Sequence, residues 1–270
     1  MKREISKELD DIAAKYGRER LTEITDAVTA VFTEKPIEEA DVYFVMDRFG
    51  YARTIDTATY DRNKEAIDSD DATFRSVFLT KNTGRVGIFT NTGMLHIIRV
   101  LDLPMTKLRD KGVPIDNLSK FDSSKENFVY IDDLESIIKS KLLFVSRHAM
   151  MKLVEGSEFD VMTKRTVAAT SLGDGDELFK VKAYDEENDR QVLLQTEGGF
   201  FIRFAMTEIP EKKKGAVGVR GMKLSGGDRL EELYFMNFAD ERVIDYKGKE
   251  MALTHVKLSK RDGKGTKVRV

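Results

Sequence analysis

Apolar residues near the start of the chain recur at three- and four-residue steps. Ile5, Leu9, Ile12, Ala13 and Tyr16 share one helical face, with charges on the others. This spacing predicts a helix in the first thirty residues, interrupted at Gly17 and resumed at Leu21-Thr-Glu-Ile. The charged stretch Glu34-Lys-Pro-Ile-Glu-Glu then reads as a linker. The predicted division is a helical tail over 1–34, a linker over 35–40 and one β domain over 41–270.

From Asp41 the texture changes to short apolar runs broken by turn residues, the pattern of β-structure. Five segments read as apolar strand, polar turn, apolar strand: residues 42–53, 86–99, 142–152, 192–203 and 243–253. Their turn positions Gly50, Gly93, Ala149, Gly199 and Gly248 lie 43, 56, 50 and 49 residues apart, the period of a bladed β-array. Strand-like pieces at 76–79, 112–115, 166–169, 215–219 and 265–270 complete about five four-stranded blades. A lone sheet cannot bury both faces, so the blades must stack. The longest gap between hairpins holds Tyr130-Ile-Asp-Asp-Leu-Glu-Ser-Ile-Ile, read as an acidic, partly helical insert.

Composition changes this picture little: 41% hydrophobic residues over 270 positions suffice for a core. No apolar run approaches the roughly 18 residues of a membrane span, and the N-terminus lacks a signal-peptide core. The expectation is a soluble, cytoplasmic protein without membrane contact. Absence of cysteine removes disulfides, thiolate metal sites and thiol catalysis, and suits a reducing compartment.

Charge adds more. The net charge of −2 argues against a uniformly basic nucleic-acid binder, but the charges segregate. Residues 211–223 carry five basic residues against Glu211, residues 257–270 six against Asp262, and residues 56–75 six acids against three bases.

Candidate catalytic chemistry falls away. His96, His148 and His255 stand apart without metal or acid–base spacing. Asp68-Ser-Asp-Asp lacks the glycine and glutamate of a calcium loop and reads as solvated. Gly215, Gly218 and Gly221 miss dinucleotide spacing, and Gly263-Lys-Gly-Thr lacks the upstream glycine of a phosphate loop. The pairs Tyr43-Phe44, Phe200-Phe201 and Tyr234-Phe235 read as blade core, since strand alternation buries one face. No catalytic or metal site and no cofactor are expected in this chain.

Gly-Ala-Val-Gly-Val-Arg-Gly-Met-Lys-Leu-Ser-Gly-Gly-Asp-Arg-Leu over residues 215–230 closely resembles the inter-blade signature G-V-R-G-I-K-L-x-x-G-D-x-[LV] of gyrase A subunits. Thr-Val-Ala-Ala-Thr-Ser-Leu-Gly-Asp-Gly-Asp-Glu-Leu over 166–178 looks like a weaker copy. The pieces Gly50-Tyr-Ala-Arg and Gly199-Phe-Phe-Ile-Arg are similar to the family's basic hairpin arms, and residues 15–24 to its K-Y-G-x-x-R-x-T-E-I. The resemblance, to the C-terminal domain of bacterial type IIA topoisomerase A subunits, covers nearly the whole chain. It implies a β-pinwheel, a propeller-like fold with strands exchanged between blades, that bends duplex DNA around its rim. It also implies a parent topoisomerase whose active-site tyrosine and arginine precede this point. ATP and Mg²⁺ would act on other domains of that parent. The partners, in the nucleoid, would be double-stranded DNA, the ATPase B subunit of the enzyme, with which it assembles, plus the remainder of its own polypeptide.

On that reading the rim candidates are Arg53, Arg99, Lys152 and Arg203, from the second strand of each of the first four hairpins. Lys212, Lys213, Lys214, Arg220 and Lys223 lie on the richest stretch. From spacing alone such residues equally serve solubility and edge protection. One departure matters: the loop after the first hairpin, residues 57–71, lacks the Q-R-R-G-G-x-G box of gyrase proper and is acidic. That leans toward a topoisomerase IV-like domain that bends DNA without driving supercoils. A propeller-like protein-binding scaffold without DNA binding is the alternative.

Overall fold

In a computed structural model, residues 1–19, 22, 37–67, 73–161, 164–237 and 242–268 are described. Two compact units emerge, Met1–Ile37 and Glu38–Val270. The first contains helix α1 (Lys2–Tyr16), all of whose residues are exposed, Ile5, Leu9, Ile12 and Tyr16 included. Its basic Lys15 sits in the last turn, where the helix dipole favours a cation. The resumption expected at 21–24 falls, but for Thr22, outside the described residues, as do residues 35 and 36 of the linker.

Among the described residues the second unit has eighteen strands. Hairpin β1 (Asp41–Asp47) with β2 (Tyr51–Asp56) is followed by β3 (Phe74–Lys81), then hairpin β4 (Arg85–Thr90) with β5 (Met94–Arg99) and the short β6 (Val113–Pro114). β7 (Phe128–Asp133) leads into hairpin β8 (Lys141–Ser146) with β9 (Met150–Glu155), then β10 (Thr166–Ala168). β11 (Leu178–Ala183) leads into hairpin β12 (Gln191–Thr196) with β13 (Phe200–Ala205), then β14 (Val219–Arg220). β15 (Leu230–Met236) leads into hairpin β16 (Val243–Tyr246) with β17 (Lys249–Ala252), and β18 (Thr266–Lys267) follows.

The sheet orders are β3-β1-β2-β6, β7-β4-β5-β10, β11-β8-β9-β14, β15-β12-β13-β18 and the pair β16-β17. Blades 1 to 4 are therefore four-stranded and antiparallel, while the fifth is a two-stranded hairpin among the described residues. The fourth strand of each complete blade arrives only after the hairpin of the next blade has formed. This is the strand exchange of a β-pinwheel. All five turn positions have positive φ, from 61° at Ala149 to 85° at Gly50, as tight hairpins require.

The core is divided between the blades. Val42, Phe44, Ile88 and Ile98 pack between blades 1 and 2, and Phe89, Leu95, Phe144 and Val154 between blades 2 and 3. Val145, Met151, Leu194 and Phe204 pack between blades 3 and 4, and Leu193, Phe201 and Met251 between blades 4 and 5. Blades 2, 3 and 4 thus bury both faces against their neighbours, as the strand alternation demands. Phe44 and Phe201, one member of two of the aromatic pairs, are fully buried.

Two sequence readings need correction. Residues 57–67 form helix α2 (Thr57–Ile67) instead of a loop; residues 68–72, including the calcium-loop look-alike, lie outside the described residues. Asp56 starts α2 by accepting from the Thr59 amide at 2.6 Å and its hydroxyl at 2.9 Å, and these bonds hold its carboxyl below the usual range. Tyr60 stacks on Tyr43, centroids 3.6 Å apart, and Ile67 is buried against Val45 and Ile55, so α2 covers the outer face of blade 1. The supposed insert at 130–138 is half strand: β7 completes blade 2. Only α3 (Leu134–Lys139) is helical, capped by Asp133, which accepts from the Ser136 amide at 3.1 Å.

Candidate nucleic-acid interface

In blades 1, 3 and 4 the exchanged strand is reached by a loop that runs along the free edge of the hairpin. Each begins at a parallel bridge, Thr54 with Met105, Leu153 with Glu211 and Arg203 with Leu258. Each ends seven residues later at a glycine, Gly112, Gly218 and Gly265, just before β6, β14 and β18. A Cβ on these glycines would sit 2.1 Å from the Ala52 carbonyl oxygen, 2.5 Å from that of Met151 and 2.6 Å from that of Phe201. Those three carbonyls occupy one equivalent position in the three hairpins. Backbone can approach backbone this closely only without a side chain.

The loops are basic and their cations face solvent. Lys107, Arg109 and Lys111 are exposed on the first, Lys212 and Lys213 on the second, and Lys260 and Lys264 on the third. Ahead of β10 in blade 2 lie the exposed Lys164 and Arg165. Successive loops touch through the exchanged segments. The Ser171 hydroxyl donates to the Gly215 carbonyl at 2.8 Å, and the Lys223 amide to that of Gly263 at 2.8 Å. Arg220 pairs with Asp262, which keeps the Asp262 carboxyl below its ordinary range. The result is a strip of exposed cations that passes from blade to blade with little acid in it.

The predicted site residues divide into three groups. Lys212, Lys213 and Lys223 lie on the strip, exposed and without an ion pair among the described residues. Arg220 is also on it, with its charge shared by Asp262, while Lys214 turns inward, its ammonium donating to the Glu158 carbonyl at 2.5 Å. Arg53, Lys152, Arg99 and Arg203 do not form the expected rim. Arg99 is clamped bidentately by Asp102 at 3.0 and 2.7 Å, and Arg203 is half-buried beneath the third loop.

Arg53 and Lys152 are interior, 4% and 1% exposed. Arg53 Nη2 donates to the Leu108 carbonyl at 2.8 Å. Lys152 Nζ donates to the carbonyls of Lys214 and Ala216 at 2.6 Å each, with Lys213 at 3.4 Å. Burial pushes the Lys152 ammonium down to about 8, with nearby Glu158 pulling it back up. Alternation places these side chains on the inner face of their strands, so neither can reach a phosphate.

Sequence reading missed Lys107, Arg109, Lys111, Lys164 and Arg165. A signal was present: Pro104 and Pro210 each stand eight residues before Gly112 and Gly218, and the amides of Thr54 and Leu153 donate to those two proline carbonyls. Of the histidines, His96 is buried against Glu126 at 3.2 Å, while His148 and His255 are exposed. Among the described residues no cluster of His, Cys, Asp or Glu is arranged to hold a metal ion, and no helix is long and apolar enough to cross a membrane.

Comparison with known proteins agrees with this architecture. The family described as DNA gyrase C-terminal domain, beta-propeller, matches residues 140–184 and 190–233. The DNA gyrase A protein of Staphylococcus epidermidis is 26% identical over an aligned 275 residues, 96% of this chain and 30% of that protein. The chain is thus similar to the C-terminal domains of gyrase A and topoisomerase IV. It spans under a third of the length of the gyrase A proteins it matches. The C-terminal domain of DNA topoisomerase IV superposes with a TM-score of 0.74 at 22% identity, covering 85% of this chain and 73% of that one. The E. coli ParC C-terminal domain gives 0.67 at 18%, covering 85% and 94%.

Within this family signature, the aspartate of the Gly-Asp step has a clear local task. Asp228 accepts from the Gly198 amide at 2.9 Å and Asp176 from the His148 amide at 2.9 Å, so each fastens the turn of a preceding hairpin. The leucine two residues on, Leu230 or Leu178, is buried and donates its amide to the turn of the previous blade, at Arg147 or Asn91. The signature therefore builds the joint between blades. The cations of the strip are spaced by that joint.

Proposed function

We propose that this domain binds duplex DNA along the strip of basic loops and bends it, as the non-catalytic C-terminal part of the A protein of a type IIA topoisomerase. ATP hydrolysis, Mg²⁺ chemistry and strand cleavage belong to other parts of that enzyme and to its ATPase partner, in the cytoplasm. One observation carries the reading: equivalent loops in blades 1, 3 and 4 present cations, without an ion pair among the described residues, at the same sheet edge. Such a row meets phosphates at regular intervals and reads backbone, not sequence. Bending by 40–90° costs on the order of 1–6 kcal/mol, which contacts spread along a curve can offset.

The domain is more topoisomerase IV-like than gyrase-like. In place of the gyrase box stands α2, folded onto blade 1, with Asp61 and Glu65 exposed beside Arg62 and Lys64. A wrap that continued past blade 1 would meet a helix whose exposed acids and bases balance, instead of a cationic segment.

Replacing Lys212 and Lys213 together by Glu should weaken duplex binding at about 50 mM salt by more than tenfold, with little sequence preference before or after. Unchanged affinity would remove the strip from the DNA path, and no duplex binding by the wild type would favour the protein scaffold. Ligation of nicked circles in the presence of the domain should leave the linking number nearly unchanged; a clear positive shift would mark a gyrase-like wrap.

A further inference from the structure

The basic loops must hold a shape that points their cations outward, and the side chains that hold them are themselves cations. Arg53 and Lys152 occupy the same position on β2 and β9, paired across the hairpin with Val45 and Phe144. The carbonyls they bind correspond as well: Leu108 stands three residues after the bridge at Met105, and Lys214 three after the bridge at Glu211. We infer that Arg53 and Lys152 are positioning residues for nucleic-acid binding: each buried cation ties down the backbone of one basic loop, through one carbonyl for Arg53 and three for Lys152, and thereby turns that loop's exposed cations outward. This inference rests on the DNA-binding reading of the strip.

The chemistry favours such a brace. A loop that turns its lysines to solvent leaves carbonyls on its inner side, and buried carbonyls need donors. One ammonium satisfies three carbonyls at once, so it fixes the curvature of residues 213–216 more tightly than any neutral side chain. In blade 3 the Glu158 carboxylate adds a bond from the Lys214 amide at 3.0 Å. Blade 4 shows the contrast. Its equivalent residue is Ile202, and its loop is held by the Arg261 amide on Glu208 at 3.1 Å and the Arg261 guanidinium on the Arg220 carbonyl at 3.2 Å. Blade 2 has His96 there, bound to Glu126.

The test is a double-mutant cycle on duplex affinity at about 50 mM salt. Lys152→Met should lower affinity on the order of tenfold, and Lys152→Arg should restore most of it, because arginine already does this work at Arg53. In a Lys212→Ala, Lys213→Ala background, Lys152→Met should cost little more, since the cations it positions are gone. Full additivity would overturn the inference, because a general loss of folding, or direct phosphate contact by Lys152, acts equally in both backgrounds. Amide exchange reports on the brace without DNA. Lys212, Lys214 and Ala216, whose amides are hydrogen-bonded in the wild type, should exchange faster in Lys152→Met while β12 amides do not. Unchanged exchange there would overturn the brace itself. Absence of duplex binding by the wild type, with faster loop exchange in the variant, would instead remove the DNA reading and with it the positioning role.

Discussion

Lys152 and Lys213 lie within hydrogen-bonding reach of each other through a backbone carbonyl, yet their charges face opposite surroundings. One meets carbonyl oxygens in the interior; the other meets water. This difference has a pH signature. The folded-state value of Lys152, about 8, lies below the 10.5 of an unfolded chain. Between those values the unfolded state holds a proton that the folded state has lost, so stability should rise with pH across that window. Urea midpoints measured from pH 7.5 to 10.5 should show wild type gaining on Lys152→Met. A constant difference would mean that Lys152 keeps its ordinary affinity for the proton. Glycine gives a second prediction at this scale. Gly218→Ala combines a φ of 103° with a Cβ 2.5 Å from a carbonyl oxygen and should cost more than about 2 kcal/mol. Gly175→Ala has positive φ but open space, and should cost about 1 kcal/mol. Equal costs in urea unfolding would show that the close approach does not matter.

At the scale of elements, α2 is a cap. The outer face of blade 1 would expose Tyr43, Val45 and Ile55 if no helix lay on it, and a terminal repeat needs such a cover. Tyr60→Ala should lower stability by about 1–2 kcal/mol through the lost ring stack, and leave the salt dependence of duplex binding unchanged. A change in that dependence would place α2 on the DNA path. Hairpins were legible in the sequence because both of their strands are local and carry apolar alternation. Helix α2 was missed because its few apolar residues, Tyr60 and Ile67 among them, carry a weak period beside many charges. β6 and β14 fall within or at the end of the strand-like pieces at 112–115 and 215–219, but which hairpins they join was not legible, because their partners lie 61 and 68 residues away.

At the scale of the whole molecule, charge and repetition act together. Net charge near zero conceals a predominantly basic strip, because several acids are paired, as Asp102 is with Arg99 and Glu211 with Lys141. If the strip engages about six phosphates, log affinity should fall with log salt at a slope of about −5. A slope near −1, measured between 50 and 200 mM, would be too shallow for a bent duplex. The sequence by itself determined the β class, the five-fold repeat, the turn positions and the family signature, since all of these rest on short-range spacing. It also marked the 211–223 stretch as basic. Only the tertiary structure decided which lysines and arginines face out. That depends on strand register, on exchanged strands from the following repeat, and on carbonyls brought to Arg53 and Lys152 across more than fifty residues of chain. Burial is set by partners distant in sequence, and no local pattern encodes them.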